Sequence, residues 1–315
     1  MDDLAAGDVR LMQGLAEKVT AVRPDLVVEG ATLGELAWVW GKGHAALGET
    51  WRRRLWFDGD DLVAWGWAQL PYQVPRSDGS VSGSRGAYLA WQVHPERAEL
   101  LDEIVEWFDG QAPGADHFVT PTQADAAAIT RLTAHGYVLD EKNAGDDGDW
   151  HQVNRRDLAG VEEPVLPGGF RFRNADQVGP EAAVRAHVDA WHPSTFTARA
   201  FEGVRATWPY RGDLHVLVEA PDGTMASNAI MWLDEANRTA EFEPVGTHPG
   251  YRKRGLGRAL LLHGMRLARE AGADEMTVAC LGAPAHQAAR RLYYSVGFAP
   301  FTRDAPHVRR AVPEA

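Results

Sequence analysis

The sequence predicts a mixed α/β protein made of two tandem copies of one unit, in which a mostly antiparallel sheet is flanked by helices. Apolar strands alternate with amphipathic helices along nearly all of the 315 residues. That length is large for one domain and comfortable for two. A polar stretch rich in Pro and Gly, residues 158–169, is typical of an interdomain linker. We therefore predict an N-terminal domain over residues 1–157 and a C-terminal domain over residues 170–315.

Short motifs recur in the same order in both copies. A strand ends in His-Pro at residues 94–95 and again at residues 248–249. A helix leads into Gly and an aromatic residue at positions 136–137 and again at positions 297–298. Because the order of elements around these motifs is also the same, we interpret the chain as an internal repeat.

Hydrophobic periodicity and turn residues place the elements of the first copy. The Asp58-Gly59-Asp60-Asp61 run predicts the turn of a hairpin. The Ser- and Gly-rich run over residues 76–86 predicts a mobile loop. The predicted helices cover residues 4–22, 32–47, 96–108 and 124–134, and the predicted strands cover 55–58, 62–68, 88–94, 117–120 and 137–139.

The second copy follows the same alternation of strands and helices. Its predicted strands cover residues 170–173, 214–220, 226–233, 239–247 and 275–281, with a last strand opening at Gly297-Phe298. Its predicted helices cover residues 179–191 and 285–295, with one more starting at Ala259.

Composition and charge exclude several classes of protein. The chain is 45% hydrophobic and 24% charged, as ordinary globular proteins are, and no apolar run approaches the roughly 18 residues that a membrane span needs. A net charge of −12 argues against nucleic acid as a partner. The single cysteine, Cys280, cannot form an intramolecular disulfide, and the acidic N-terminus lacks the layout of a secretory signal. We expect a cytoplasmic protein without a membrane partner or a metal site.

The predicted strand over residues 239–247 leads into a basic, glycine-spaced turn and then into an apolar helix. The turn contains Arg252, Lys253, Arg254, Gly255, Leu256, Gly257 and Arg258. Backbone N–H groups at a helix N-terminus lack partners within the helix, the helix dipole is positive there, and glycines let a phosphate approach the backbone. The turn therefore predicts a phosphate site, although its spacing is that of neither the P-loop nor the dinucleotide fingerprint.

The spacing Arg252-x-x-Gly255-x-Gly257 resembles the pyrophosphate-binding signature of the GCN5-related N-acetyltransferases, the GNAT family. The segment from Ala289 to Phe298 is similar to that family's Ala-x-x-Leu-Tyr-x-x-x-Gly-Phe sequence. The resemblance is strong in the second copy and weaker in the first. It implies two tandem GNAT-like domains and an acyltransferase whose co-substrate is acetyl-CoA.

The resemblance also implies which residues hold acetyl-CoA. Val245, Gly246 and Thr247 would pair with the pantetheine arm, and the basic turn would bind the pyrophosphate. His286 stands where relatives often have an Asn that contacts the pantetheine arm, so this contact departs from the family pattern. Tyr293 matches the tyrosine that lies near the sulfur in many relatives and is predicted to be the general acid.

Acetyl transfer to an amine also needs a base that removes a proton from the ammonium. The two-residue period of a strand predicts that Glu241, Glu243, Val245 and Thr247 share one face. Glu243 lies nearest the thioester end and is our first choice for the base, acting directly or through a water molecule. Glu241 is the second choice, and the sequence also leaves His192 and His215 open.

The first copy lacks the parts that carry this chemistry. Between Pro95 and the apolar helix core it has no glycine, and Glu96 and Glu99 lie where a phosphate would be repelled. Leu132 stands at the position of the tyrosine. We therefore predict a degenerate N-terminal copy that packs on the catalytic C-terminal copy and walls its substrate cleft.

Three functions are compatible with these residues. The leading prediction is an N-acetyltransferase that acts on the primary amine of a small molecule through a ternary complex. The second is a protein similar to mycothiol synthase, a family that also pairs a degenerate N-terminal copy with an active C-terminal one. The third is a module that binds CoA without catalysis. The sequence leaves open the acceptor amine, the length of the acyl group and the oligomeric state.

Overall fold

The computed structural model of the chain describes residues 6–282 and 286–311. It contains a six-stranded sheet, a seven-stranded sheet and a two-stranded hairpin, flanked by helices, which confirms the predicted mixed α/β class. We call residues 6–157 the N-terminal half and residues 170–311 the C-terminal half. The domain boundaries themselves stay a prediction.

The N-terminal half begins with two helices and continues as a meander of strands. Thr32 caps the second helix by accepting a hydrogen bond from Glu35 N. The elements are α1 (Ala6–Val22), α2 (Leu33–Leu47), β1 (Trp51–Asp58), β2 (Asp61–Gln69), β3 (Tyr72–Pro75), β4 (Val81–Ser84), β5 (Ala87–Val93), α3 (Leu100–Asp109), β6 (His117–Val119), α4 (Ala126–Ala134), β7 (Val138–Leu139), α5 (Glu141–Ala144) and β8 (His151–Asp157).

The C-terminal half repeats this alternation of helices and strands after an additional strand and a short helix at its start. Its large core lies between the sheet and α9, and Phe242, Leu260 and Met265 are fully buried there. The elements are β9 (Arg171–Asn174), α6 (Ala175–Val178), α7 (Pro180–Ala190), α8 (Ala198–Ala206), β10 (His215–Glu219), β11 (Met225–Asp234), β12 (Thr239–Thr247), α9 (Leu256–Glu270), β13 (Glu275–Leu281), α10 (Gln287–Ser295), β14 (Ala299–Arg303) and β15 (His307–Arg309).

The two halves exchange a strand. Strand β8 leaves the N-terminal half and pairs antiparallel with both β13 and β14 in the seven-stranded sheet. Strand β15 returns from the C-terminal half and pairs with both β6 and β7 in the six-stranded sheet. Each sheet is therefore completed by a strand of the other half.

Helix α2 joins the halves on one face of the seven-stranded sheet. Gly41 of α2 lies against Gly203 and Val204 of α8, so closely that a Cβ on either glycine would overlap the opposing backbone. Trp38 and Leu33 of α2 enter an apolar cluster with Phe196, Phe201, Ile230 and Trp232 of the C-terminal half. Because glycine has no side chain, α2 and α8 approach each other closely at this point and bury the cluster.

Most predicted elements are present, with a few differences. The run over residues 76–86 is not a loop alone, because its second half forms β4, which pairs with β3. Helix α3 starts at Leu100, since residues 95–97 form a separate 3-10 turn. The sequence also missed β8 and β15. Two helices were predicted to start at residues 4 and 285, and both positions lie outside the described residues. The chain end after residue 311 lies outside them as well. Among the helices that the structure describes, none has the length and apolar character of a membrane span.

Candidate active site

A cleft opens where β12 and β13 diverge. The two strands pair in parallel from Thr239, opposite Glu275, to Phe242, opposite Val278, and no pairing continues beyond that point in the described residues. From residue 243 to residue 247, β12 therefore forms no backbone hydrogen-bond ladder with β13. Backbone groups on such an edge are available to an extended ligand.

A bulge in β12 changes the direction of its side chains. Phe242 lies opposite Met231 and Val245 lies opposite Ala229, so two residues of β12 face one residue of β11. The extra residue moves Val245 to the face of Phe242, where Val245 packs against the large core. The prediction that Glu241 and Glu243 share a face with Val245 and Thr247 is therefore wrong.

Helix α9 begins at the end of this cleft without a side-chain cap. Its N-cap residue, Gly255, has a φ of +80°, in the left-handed region that glycine adopts readily. The helices that start after Thr32, Asp125 and Thr197 are capped by those side chains, whereas Gly255 has no side chain that could accept a hydrogen bond. The first N–H groups of α9 thus remain available for an anion.

Neighbouring residues keep the turn before α9 open and close to the strand. A Cβ on Gly257 would lie 3.0 Å from Leu292 and 3.6 Å from the hydroxyl of Thr247, so a larger residue would enter the cradle. Gly246 passes under the ring of Trp191, which a Cβ there would overlap. Leu256 is buried and anchors the first turn of the helix in the core.

The basic side chains of the turn have different surroundings. Arg252 donates to the carbonyls of Thr247 (3.1 Å) and Ala190 (3.3 Å), so it braces the turn. Arg254 lies over the ring of Tyr251, and Arg258 pairs with Glu162 at 2.7 Å. Lys253 is exposed and has a positive φ of 61°. Among the described residues, Arg258 alone of these four cations forms an ion pair, and Lys253 and Arg254 are exposed.

Burial raises the pKa values of both Glu243 and Tyr293. Burial raises the pKa of Glu243 to about 7, and the acidic neighbour Glu29 adds to the shift while Lys42 and His151 oppose it. Burial also raises the pKa of Tyr293, and the negative charge of Glu243 contributes in the same direction. A carboxyl group that ionises near neutral pH is suited to be a base, and a phenol that keeps its proton is suited to be an acid.

Glu241 is held by the N-terminal half. Its Oε1 accepts a hydrogen bond of 2.9 Å from the hydroxyl of Thr32, and the backbone N–H of Gly34 also interacts with this carboxyl. Burial raises the pKa of Glu241 to about 8, and the charges of Glu243 and Glu29 add to the rise. Glu241 thus links the halves, whereas no hydrogen bond among the described residues occupies the carboxylate of Glu243.

Charged side chains of the N-terminal half, one of them on the exchanged strand β8, also influence the pKa of Glu243. His151, on β8, lies with Nδ1 3.3 Å from Asp304 and Nε2 3.4 Å from Glu29. Burial lowers its pKa, but Glu29 and Asp304 outweigh that effect and bring it to about 9. Burial also raises the pKa of Glu35 well above its ordinary value. The sequence analysis missed these residues, which belong to no motif and lie far from β12 in the chain.

The remaining candidates have other surroundings. His286 precedes α10, and burial lowers its pKa, with His151 and Arg290 acting in the same direction. His215 is buried, its Nδ1 lies 3.1 Å from the hydroxyl of Tyr210, and burial lowers its pKa to about 3. Burial raises the pKa of the Cys280 thiol. The two histidines are neutral near pH 7, and the thiol is protonated.

The N-terminal half has kept the shape of the cleft but not its cradle. Strand β5 pairs with β6 only as far as Leu89, opposite Val119, and then diverges. The 3-10 turn after His94 leads through Glu99 directly into α3. Leu132 is fully buried at the position that Tyr293 occupies in the other half.

Comparison with known proteins agrees with this geometry. A model of the acetyltransferase (GNAT) family matches residues 183–298. A mycothiol acetyltransferase of Beutenbergia cavernae is 32% identical over 241 residues, which cover 73% of this chain and 72% of that protein. A mycothiol acetyltransferase of Kineococcus radiotolerans is 29% identical over 221 residues, 66% of each chain.

Solved structures share the tandem fold. A tandem GNAT protein from the clavulanic acid biosynthesis pathway has a TM-score of 0.65 at 16% identity, covering 100% of this chain and 99% of that one. A GCN5-related N-acetyltransferase from Sphaerobacter thermophilus has a TM-score of 0.59 at 18% identity, covering 100% and 96%. The chain therefore belongs to the acetyltransferase (GNAT) family and is an acyltransferase.

Proposed function

We propose that the chain transfers an acetyl group from acetyl-CoA to the primary amine of a small molecule, by direct attack within a ternary complex. The observation that carries this proposal is the meeting of three features in one cleft. These are the diverging strands β12 and β13, the uncapped N-terminus of α9, and the buried groups Glu243 and Tyr293, whose charges influence one another.

The residues of the cleft fit acetyl-CoA. The free N–H groups at α9 suit a pyrophosphate, and Lys253 and Arg254 add positive charge. The unpaired edge of β12 around Val245 suits the amide groups of a pantetheine arm. When bound, acetyl-CoA supplies the acetyl group as a thioester.

Glu243 and Tyr293 then account for the two proton transfers. Glu243 takes a proton from the ammonium of the acceptor, directly or through a water molecule, and the amine nitrogen forms its bond to the carbonyl carbon. As the carbon–sulfur bond breaks, Tyr293 donates its proton to the sulfur. A phenol has a pKa of about 10 and a thiol one of about 8.5, so this donation must be concerted with bond breaking. The nitrogen loses its second proton to the Tyr293 phenolate as the amide forms, and Glu243 releases its proton to solvent, so both residues are restored.

The charges around Glu243 favour a cationic acceptor. Glu29 and Glu35 of the N-terminal half act on Glu243, and Lys42 and His151 offset part of their charge. An ammonium group entering the cleft would be attracted by Glu29 and by the ionised form of Glu243. The N-terminal half thus takes part in choosing the acceptor.

A narrower candidate follows from the relatives. Two curated relatives are mycothiol acetyltransferases, at 32% and 29% identity. This favours cysteinyl-glucosaminyl-inositol as the first acceptor to be tested. The alternative of a non-catalytic CoA-binding module gains no support from Glu243 and Tyr293, which such a module would not need.

Calorimetric titration of acetyl-CoA tests the binding part of the proposal. We expect one site per chain, lost in Gly257→Glu, because the new side chain would fill the cradle and repel the phosphates. Gly7→Glu is the matched control, since Gly7 is an exposed helical glycine with open space around it. Two sites, or binding that survives Gly257→Glu, would contradict the assignment of the cradle.

Turnover on a panel of amines tests the catalytic part. The panel contains cysteinyl-glucosaminyl-inositol, small diamines, amino sugars and a lysine peptide, and free CoA is measured as the product. Acetylation of a small amine by the wild type, but not by Glu243→Gln, is the expected result. Binding of acetyl-CoA without turnover on any amine would favour the non-catalytic module, and turnover on the peptide alone would overturn the small-molecule acceptor.

A further inference from the structure

The chain between the two halves, residues 158–169, is fastened to the C-terminal half at its start. We call this stretch the connecting segment. Leu158 and Val161 are buried, and both pack in the large core of the C-terminal half. The next two residues, Glu162 and Glu163, are exposed. Because Val161 is anchored in the core, these two carboxylates are held close to the protein surface.

Glu162 and Glu163 each form an ion pair with an arginine of α9. Oε2 of Glu162 lies 2.7 Å from Nη2 of Arg258, and Oε1 of Glu163 lies 2.7 Å from Nη1 of Arg266. The two arginines differ in their place on the helix. Arg258 stands in the first turn of α9, which begins at Leu256, whereas Arg266 stands about two turns later, roughly 12 Å further along the helix axis. Only the pair formed by Glu162 is therefore at the phosphate cradle.

Arg258 belongs to the cradle by its position and contacts the connecting segment through its side chain. The sequence predicted that its guanidinium binds the pyrophosphate, whereas the structure pairs it with Glu162. A guanidinium binds a phosphate most strongly when two of its N–H groups face the phosphate oxygens. A carboxylate on the same guanidinium takes one of these donors and offsets the positive charge. Glu162 and a phosphate therefore compete for Arg258.

Glu162 also acts on a second arginine. The hydrogen bond with Arg258 lowers the pKa of Glu162, and the charge of Arg156 on β8 acts in the same direction. Burial lowers the pKa of Arg156, the charge of Glu162 opposes this effect, and the charge of Arg258 adds to it. Glu162 is thus ionised near pH 7 and partly neutralises two arginines that repel each other. Its departure from Arg258 leaves a positive charge that a phosphate can neutralise instead.

We propose that Glu162 is an inhibitory latch, which withholds Arg258 from the phosphate cradle until the phosphates of acetyl-CoA displace it. This inference rests on the proposed function, because acetyl-CoA supplies the phosphates. Acetyl-CoA and Glu162 each weaken the other's contact with Arg258, and by the same factor, because such coupling is reciprocal. Strand β8 ends directly before the connecting segment, so the latch couples the cradle to the junction between the halves.

Calorimetric titration of acetyl-CoA into the full chain tests the latch. The titration is done at low ionic strength, where exposed charges are least screened. Glu162→Gln should raise the affinity for acetyl-CoA about two- to fivefold, within the range expected for an exposed ion pair. Glu163→Gln is the matched control, because it removes the same charge from the neighbouring residue, whose partner Arg266 lies away from the cradle. This control should bind acetyl-CoA as the wild type does.

The Arg258→Gln background separates the latch from simple repulsion between Glu162 and the phosphates. In that background Glu162→Gln should give no gain in affinity, since the withheld arginine is absent. A gain of the same size there, an equal gain in Glu163→Gln, or an unchanged or lower affinity in Glu162→Gln would overturn the latch. Each of these results leaves the proposed function standing, because acetyl-CoA still binds. Absence of acetyl-CoA binding in the wild type and in Glu162→Gln would overturn the proposed function and the latch together.

Discussion

The hydroxyl of Thr32 donates a hydrogen bond of 2.9 Å to Glu241, across the boundary between the two halves. The same hydroxyl accepts from Glu35 N, so it is fixed by α2. Glu241 is therefore occupied in holding the halves together, and we expect Glu243 alone to act as the base. Glu243→Gln should lower kcat by roughly 10²- to 10⁴-fold, the usual contribution of general base catalysis. Glu241→Gln should lower it only a few-fold.

Steady-state rates at pH 8 check this difference between the two carboxyls. Glu235→Gln serves as the control, since Glu235 is an exposed carboxylate on the turn between β11 and β12. A larger loss in Glu241→Gln than in Glu243→Gln would exchange their proposed roles.

The pH dependence of kcat/KM should report the ionisation of Glu243. A base accepts a proton only in its ionised form, and burial raises the pKa of Glu243 from its ordinary range to about 7. We therefore expect kcat/KM to rise about tenfold per pH unit below 7 and to level off above it. The titration of the acceptor amine is measured separately and divided out. A plateau that extends down to pH 5 would argue against Glu243 as the base.

His151 should keep that base ionised. Its imidazole is charged below about pH 9, because Glu29 and Asp304 flank it, and the charge lowers the pKa of Glu243. The charge of Lys42 also lowers the pKa of Glu243. The charge of Glu243 in turn raises the pKa values of Glu35 and Glu241. His151→Gln should move the acid limb of kcat/KM upward by roughly half to one pH unit and leave acetyl-CoA affinity unchanged.

The matched control for His151 is His135→Gln, which removes an imidazole paired with Asp102 in the N-terminal half. A purely structural role of His151 would lower kcat/KM by the same factor at every pH. In that case the acid limb of the kcat/KM profile would keep its position on the pH axis.

Tyr293→Phe should lower kcat strongly while acetyl-CoA affinity stays within about twofold. The substitution removes only the hydroxyl, and the ring keeps its packing against Phe298. Loss of a general acid costs typically 10²- to 10⁴-fold. Tyr294→Phe is the control, because the exposed Tyr294 hydroxyl accepts a hydrogen bond from Gln152. Unchanged turnover in Tyr293→Phe would remove Tyr293 from the mechanism.

The sequence predicted the local parts of the site and missed its long-range parts. The turn from Arg252 to Arg258 and the helix after it follow from glycine spacing and periodicity, which act within a few residues. The bulge beside Pro244 is not visible in a two-residue alternation, so the faces of Val245 and Thr247 were predicted incorrectly. A one-residue insertion reverses every later side chain of a strand.

Contacts between the halves were beyond the reach of sequence periodicity. Glu29, Glu35 and His151 join Glu243 only because α2 and β8 pack on the C-terminal half. Strand β8 is largely polar and half-buried, and β15 has three residues, so neither carries the apolar alternation of a typical strand. The overall class was predictable because it depends on many strong elements rather than on these two.

The exchange of β8 and β15 gives the chain the character of a domain-swapped dimer fused into one polypeptide. A fragment that starts after β8 would leave β13 and β14 without their common neighbour, and a fragment that stops before β15 would separate β6 from β7. Each sheet would then expose strand edges that invite aggregation. Cleavage within residues 158–169 should therefore leave two fragments that remain associated and separate only on unfolding. Folding of either half should depend on synthesis of the other, so truncation is a poor way to isolate the catalytic copy.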